Sequence, residues 1–233
     1  AVVLGAENAF ECVPTPSRTR FTALASGESA MLARNTTWTF SRDVDLKFTF
    51  VGVNYYDGQG FMVPKALGVS SAKDLDGATV CIQTGTTTEL NLADFFRANN
   101  ISYEPVPIET NADGTQQYLA GACDTYTTDA SGLASTRATF ENPGEHTLLP
   151  EIISKEPLGP LVRHGDNEWG DIVRWTLNAL ITAEELGVSS ANVAEMATST
   201  NHPEVAVLLG TEGTLVEILG LDAVCAWIAT AET

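Results

Sequence analysis

An α/β fold with parallel-rich sheets flanked by helices is what this sequence predicts, and three observations predict it. Apolar segments of strand-like composition alternate with segments of helical periodicity along most of the chain. One strand, "ATVCIQTG", runs through a glycine turn straight into a helix start, the order used by βαβ units. Two extended segments broken by Gly or Pro, "FVGVNYYDGQGFMVPK" and "TLLPEIISKEPLGPLV", bracket a complete βαβα pattern at roughly 65–152. A chain that leaves one lobe at the first segment and returns at the second has two lobes and a two-strand hinge. The cleft between such lobes is where ligand sites often form. The expected division is 1–63 plus 154–233 for lobe 1 and 65–152 for lobe 2.

The elements follow in order. Phe21, Leu24 and Ala25 suit a short helix stopped by Gly27, and Phe48–Val53 reads as a strand. After "ATVCIQTG", Thr86 and Glu89 match a capping box, with Leu90, Leu92, Phe95 and Phe96 as the expected apolar side of the helix. "QQYLAGA" then reads as a helix, "CDTYTTD" as a strand and "ASGLASTRATF" as a helix. The longest helical pattern is "NEWGDIVRWTLNALITAEELG", with Ile172, Val173, Trp175, Leu177, Leu180 and Ile181 expected inside and Gly187 as its stop. "AVCAWIATA" near the end is again helical.

Composition narrows the function classes. The chain has 233 residues, enough for one large domain or two small ones, and 44% hydrophobic with 18% charged residues is ordinary for a globular protein. Its net charge is −18, with only 12 Lys and Arg and no basic cluster, so nucleic acid is excluded as a partner and an anionic membrane surface is disfavoured. The acidic excess reads as a device for solubility. There is neither an apolar run of 18 residues nor a signal-peptide pattern, and the start at Ala1-Val2-Val3-Leu4-Gly5 looks like the end of an apolar element. Cys12, Cys81, Cys123 and Cys225 lack CxxC spacing and the three histidines lie in predicted loops, so no metal site or cofactor is expected. Cys81 and Cys123 fall in or beside predicted buried strands, where they form either a disulfide or two free core thiols.

Three stretches carry binding chemistry. In "ARNTTWTFSRD", Arg42 is either a surface arginine paired with Asp43 or Asp45, or a bidentate clamp on a carboxylate. Asn35, Thr36 and Thr37 add donors for the same anion, and spacing alone leaves Arg34 as an alternative clamp. Gly85-Thr86-Thr87 opens a helix, where backbone N–H groups and the helix dipole favour an anion. Asp124 and Asp129 flank the strand "TYTT", and an aspartate at the C-terminal end of a buried strand sits where α/β proteins place ligand contacts. Asp129 reads equally well as the N-cap of the helix that follows. No Walker loop or G-x-S-x-G elbow is present, and a threonine nucleophile in "QTGTTTE" lacks a recognisable base, so no catalytic residue is assigned.

Together, "ARNTTWTFSRD", "FVGVNYYDGQGFMV", "ATVCIQTGTTTELNLADFFRANN", "CDTYTTDASGL" and "LPEIISKEPLGPLVRHGD" resemble the general L-amino-acid-binding proteins of bacterial ABC importers. These are type 2 periplasmic solute-binding proteins, and the resemblance covers residues 10–220. It implies two α/β lobes closing over a free L-amino acid, a periplasmic location after secretion, and delivery to a membrane permease. It also implies Arg42 rather than Arg34 as the clamp on the ligand α-carboxylate, helped by Asn35, Thr37, Thr86 and Thr87. Asp129 would take the α-ammonium and Trp38 would wall the ligand side chain. Cys81 and Cys123 fall where members carry cysteines, which favours the disulfide.

Family members begin with a further strand, loop and helix start and end with a longer C-terminal helix. A shorter chain leaves an unpaired sheet edge in lobe 1, for which a homodimer is one remedy. Two rival readings accompany this one. A cyclohexadienyl-dehydratase-like enzyme would need an acid/base pair, for which Asp129 with Glu89 is the candidate. A trimmed homologue that has lost or altered binding would act through oligomerisation.

Overall fold

The computed structural model describes residues 9–199, 201–213 and 218. The helix expected at "AVCAWIATA", Cys225 and the apolar opening at Ala1–Gly5 lie outside the described residues. In chain order the regular elements are α1 (Arg20–Ser26), β1 (Met31–Leu32), β2 (Phe48–Phe50), β3 (Tyr55–Asp57), β4 (Gln59–Pro64), β5 (Ala78–Gln83), α2 (Thr87–Ala98), β6 (Tyr103–Ile108) and α3 (Asn111–Leu119). They continue with β7 (Thr125–Asp129), α4 (Ala130–Ala138), β8 (His146–Leu148), β9 (Glu156–Leu158), β10 (Leu161–Arg163), α5 (Asn167–Glu185), α6 (Val193–Ser199) and α7 (Pro203–Leu208). The α/β alternation is therefore present.

The chain divides into two compact units. The first holds Thr15–Thr39 and Tyr55–Gly159; the second holds Phe40–Asn54 and Pro160–Thr233, with Ala1–Pro14. The grouping differs from the expected 1–63 plus 154–233 against 65–152. The reason lies in local bonding: Thr37 bridges Leu158, Trp38 N–H donates to the Pro157 carbonyl at 2.8 Å, and β4 is a strand of the large sheet.

In the first unit a five-stranded sheet has the order β6-β5-β7-β4-β8. Strand β5 runs parallel to β6 and β7, whereas β4 runs antiparallel to β7 and β8, so the sheet is mixed. Strand alternation sorts its side chains to two covered faces. Phe61, Val63, Val80 and Ile82 pack with Leu92 and Phe96 of α2 on one face. Met62, Cys81 and Tyr126 pack with Tyr118 of α3 and Leu133 of α4 on the other. Each of these large side chains contributes about 1.5–3 kcal/mol by leaving water. Leu90 is a correction: at 68% exposure it faces solvent, because helical periodicity places it opposite buried Leu92.

Glycine matters at one packing point of this unit. A Cβ at Gly114 in α3 would come within 2.4 Å of Ile108 Cδ1 and 3.0 Å of the Tyr126 ring. Gly114→Ala is therefore expected to destabilise the protein by about 1–2 kcal/mol, the overpacking cost exceeding the roughly 1 kcal/mol of helix propensity gained. A urea unfolding midpoint at or above wild type would contradict the close packing of α3 on β7.

Cys81 and Cys123 form a disulfide, with Cα atoms 5.6 Å apart and both residues buried. It ties β5 to the residue leading into β7. Asp124 reinforces the tie, accepting from Thr79 N–H at 2.8 Å and Thr79 Oγ1 at 2.7 Å. These bonds hold its carboxyl below the usual range, so Asp124 serves the sheet.

In the second unit β2 and β10 pair antiparallel, and Val51, Val162 and Val173 form a small core with Trp169 beside it. Ala183 of α5 packs with Val188, Val193, Val205 and Leu209. Two residues expected inside α5 are exposed, Trp175 at 56% and Ile181 at 38%. The helix is apolar over more than one face, and the face it buries runs through Gly170, Val173 and Ala183. Among the described residues no helix is long and apolar enough to cross a membrane.

Candidate functional site

Asp129 ends β7 and stands at the N-cap position of α4, so the sequence allowed it to be merely a cap. Its side chain makes no capping bond. Instead Asp129 Oδ2 accepts from Asn35 Nδ2 at 2.7 Å, across 94 residues of sequence. The start of α4 is served by other groups: Ala130 N–H donates to the Gly58 carbonyl, and Asp57 accepts from Ser131 N–H and Ser131 Oγ. Asp129 is buried, and burial pushes its carboxyl above the usual range; Asn35 opposes this, Asp57 and Glu156 add to it, and Arg20 opposes it. A buried carboxylate released from capping and flanked by two further carboxylates is an acceptor for a cationic hydrogen-bond donor.

Thr37 and Thr87 meet at 3.3 Å between their hydroxyl oxygens. Both donate to Glu156 Oε2, Thr87 at 3.2 Å and Thr37 through a short hydrogen bond. Glu156, at the start of β9 and buried, also accepts from Asn91 Nδ2 at 2.8 Å and Ser154 Oγ at 2.6 Å on Oε1. Asp57 and Glu156 are direct partners in the antiparallel β3–β9 pair, an arrangement of like charges that is costly without such donors.

Thr86 forms no capping bond either, and its hydroxyl donates to the Gln83 carbonyl at 2.7 Å. The expected capping box is absent: Glu89 accepts from Gly85 N–H at 3.2 Å instead. The first turn of α2 is thus not covered by the Thr86 side chain, leaving its N–H groups and positive dipole end suited to an anion. Beneath that turn, buried Gln59 holds the Thr88 carbonyl and Thr127 Oγ1 through Nε2, at 3.1 and 3.0 Å. The Glu89–Asp129 pairing required by an enzyme reading finds no support here, since the carboxylates acting on Asp129 are Asp57 and Glu156.

Trp38 is 38% exposed, next to Thr37. Arg42 belongs to the second unit, in the π-helical turn Ser41–Asp45, and it is buried rather than a surface arginine. Arg34 is engaged elsewhere, donating to the Thr15 carbonyl at 2.6 Å. Sequence reasoning missed two residues of this network. One is Glu156, whose signal was a carboxylate inside an apolar strand pattern. The other is Arg20, buried, with Nη1 at 3.3 Å from Thr36 Oγ1 and 3.5 Å from the Asn35 carbonyl, where it supports the loop that presents Asn35. Its signal was a second arginine in "SRTRF", in a chain with few cations.

A mixed sheet carrying acceptors at one strand end, with an uncovered helix N-terminus among the neighbouring elements, is an arrangement that α/β proteins use to bind small charged molecules. No protein-family model matches the chain. It is 64% identical over 222 residues to the glutamate/glutamine/aspartate/asparagine-binding protein BztA of Rhodobacter capsulatus, covering 95% of this chain and 66% of that protein. It is 57% identical over 212 residues to the general L-amino acid-binding periplasmic protein AapJ of Rhizobium johnstonii, covering 91% and 62%. A solved ABC transporter/periplasmic binding protein of Brucella ovis with glutathione bound is 49% identical, with a TM-score of 0.91 over 98% of this chain and 72% of that one. The chain therefore belongs to the periplasmic binding proteins of ABC transporters, and its fold class is the two-lobed type 2 class of that family. It spans about two thirds of the length of the curated relatives it matches.

Proposed function

We propose that this chain binds a free amino acid in the periplasm and hands it to the permease of an ABC importer, without catalysing a reaction. The observation that carries this reading is Asp129, a buried carboxylate at a helix start that leaves the cap unmade and is held instead by Asn35. Such a group receives an α-ammonium. Within the first unit the uncovered first turn of α2 is assigned the α-carboxylate and Trp38 the ligand side chain, and Arg42 keeps the role of carboxylate clamp that the resemblance implies. In this assignment the donors at Thr86 and Thr87 are backbone N–H groups, because their hydroxyl protons already go to the Gln83 carbonyl and to Glu156 or Thr37. BztA is named for four acidic and amide amino acids and AapJ for general L-amino acids, which makes glutamate, glutamine, aspartate and asparagine the first ligands to test.

The test is a thermal-shift and calorimetric screen of the twenty amino acids against wild type and Arg42→Ala. A true ligand at 100 times its dissociation constant stabilises the protein by about 2.7 kcal/mol. Arg42→Ala is expected to weaken that ligand about 100-fold or more, as losing one partner of a shielded charge pair does. Absence of stabilisation by all twenty sinks the transport reading, whereas an unchanged response in Arg42→Ala sinks only the role given to Arg42. Turnover of prephenate or arogenate would replace the binding reading by an enzymatic one.

A further inference from the structure

Asp129 has the backbone of an N-cap, non-helical at ψ 134°, and still makes no capping bond. Ser131 N–H, one of the two that an N-cap side chain takes, is served from the strand opposite. Gln59 is the register partner of Asp129 in the antiparallel β4–β7 pair. Carried one and two residues past the strand ends, that register sets Gly58 against Ala130 and Asp57 against Ser131. The bonds follow it: the Gly58 carbonyl takes Ala130 N–H at 2.8 Å, and Asp57 Oδ1 takes Ser131 N–H at 3.4 Å. Asp57 Oδ2 also accepts from Ser131 Oγ, and Asp57 Oδ1 from Gly58 N–H at 2.8 Å. Only glycine fits at 58, where a Cβ would stand 2.2 Å from Ile152 Cγ2 and 2.8 Å from the Ser154 carbonyl oxygen.

We propose that Asp57 is a positioning residue for ligand binding: it caps α4 from the neighbouring segment and thereby leaves the Asp129 carboxylate to Asn35 and to a bound ammonium. The inference rests on the amino-acid reading for its ligand, though not for the capping of α4. Two effects favour the arrangement. With Ser131 N–H occupied, Asp129 gains little by turning to α4, whereas its bond from Asn35 Nδ2 at 2.7 Å is charge-assisted. A carboxylate already at the helix start also repels a second one, and the Asp57 charge acts on Asp129. Asp57 itself is held by β3, where it pairs with Glu156, and its carboxylate meets the positive end of α4. When the Asp57 side chain is removed, the residue placed to replace it is Asp129, which reaches the helix start by a side-chain rotation. A side-chain cap shifts such an equilibrium about fivefold or more. The fraction of the protein that keeps Asp129 on Asn35 then scales the affinity.

Two measurements on the same variants test this. The first follows the Asn35 side-chain amide by nuclear magnetic resonance of the unliganded protein, with Asp129→Ala marking the signal of an amide without its carboxylate. Wild type and Asp57→Asn, whose amide oxygen still accepts from Ser131, are expected to share one position. Asp57→Ala is expected to move at least halfway to the Asp129→Ala signal. The second is calorimetric affinity for the amino acid, of the twenty, that most stabilises wild type in the screen above. Asp57→Asn is expected within about threefold of wild type, and Asp57→Ala about fivefold or more weaker. In an Asp129→Ala background, Asp57→Ala is expected to change affinity by less than about twofold, because Asp57 acts through Asp129. An Asp57 that serves stability alone lowers the urea midpoint of Asp57→Ala and leaves the Asn35 signal at its wild-type position, and that result overturns the proposal. So do equal losses of affinity with and without Asp129. A chain whose Asn35 signals move as expected but which binds none of the twenty amino acids supports the capping role and overturns the amino-acid reading. Should Asp57→Ala not fold, Ser131→Ala removes the hydroxyl that anchors Asp57, at an exposed position. It is expected to move the Asn35 signal in the same direction, and a fixed signal there overturns the proposal as well.

Discussion

Asp129→Asn is expected to raise the dissociation constant for the amino acid about 100-fold or more while leaving the unliganded protein at least as stable as wild type at neutral pH. The two effects have separate causes. An ammonium bound to a buried carboxylate loses both the charge attraction and a charge-assisted hydrogen bond when the carboxylate becomes an amide. Without ligand, however, the ionised Asp129 is a cost, because burial and the neighbouring charges of Asp57 and Glu156 oppose its ionisation more than Asn35 and Arg20 favour it. An amide keeps the acceptor for Asn35 and removes the charge. The sign of the pH dependence follows. A carboxyl whose value is raised by folding holds its proton more tightly in the folded state, so it favours folding at low pH. That favour is lost as pH rises from about 4 through the folded value. Wild type should therefore lose stability over that interval relative to Asp129→Asn, whose profile should be flatter there. Thermal unfolding of both proteins from pH 3.5 to 7, with calorimetry at pH 7, reads both effects. A variant that melts lower than wild type at pH 7 contradicts the burial argument, and one that binds normally removes Asp129 from the site.

Groups that act through neighbours in sequence were legible before the structure. The run from "ATVCIQ" through Gly85 into α2, and from "TYTTD" into α4, needs only period-two and helical patterns with a turn between them. Asp129 could be named as a candidate because its place at a strand end and helix start is local. Its choice between capping and binding was not local, since it depends on Asn35, 94 residues away. Glu156 escaped for the same reason: its partners Thr37, Thr87 and Asn91 lie 119, 69 and 65 residues from it, and no local pattern marks a carboxylate that gathers them. Leu90 and Trp175 fail differently. An apolar residue in a helical window looks like core until the neighbour that covers it is known, and these two are exposed. The same physics divides the helix starts. Thr110 forms a capping box with Asp113, whereas Thr86 with Glu89 does not, because the Thr86 hydroxyl has the Gln83 carbonyl within reach.

Breaking the Cys81–Cys123 disulfide, by reductant or by Cys81→Ala with Cys123→Ala, is expected to lower stability by about 4 kcal/mol. The bridge closes a loop spanning 42 residues, and chain-entropy arguments assign roughly that much to a loop of this length through the unfolded state. Native packing changes little on reduction, because both sulfurs lie in a core already shared by Met62, Tyr118, Tyr126 and Leu133. Nor does the parallel pairing of β5 with β7 depend on the bridge alone, since Asp124 and Thr79 join the same two segments by four hydrogen bonds, including a backbone pair at 3.0 Å. Reduction should thus leave the folded protein and its ligand affinity nearly intact while moving the urea midpoint of the five-stranded unit sharply down. The alanine pair should fall somewhat further than reduction, by the packing lost with two buried sulfurs. Folding of the reduced chain should slow as well if β5 and β7 pair early, because the bridge pre-pays the closure of the loop containing α2, β6 and α3. Equal urea midpoints with and without reductant would show that the unfolded chain gains no freedom from opening this loop, and would refute the entropic account of the bridge.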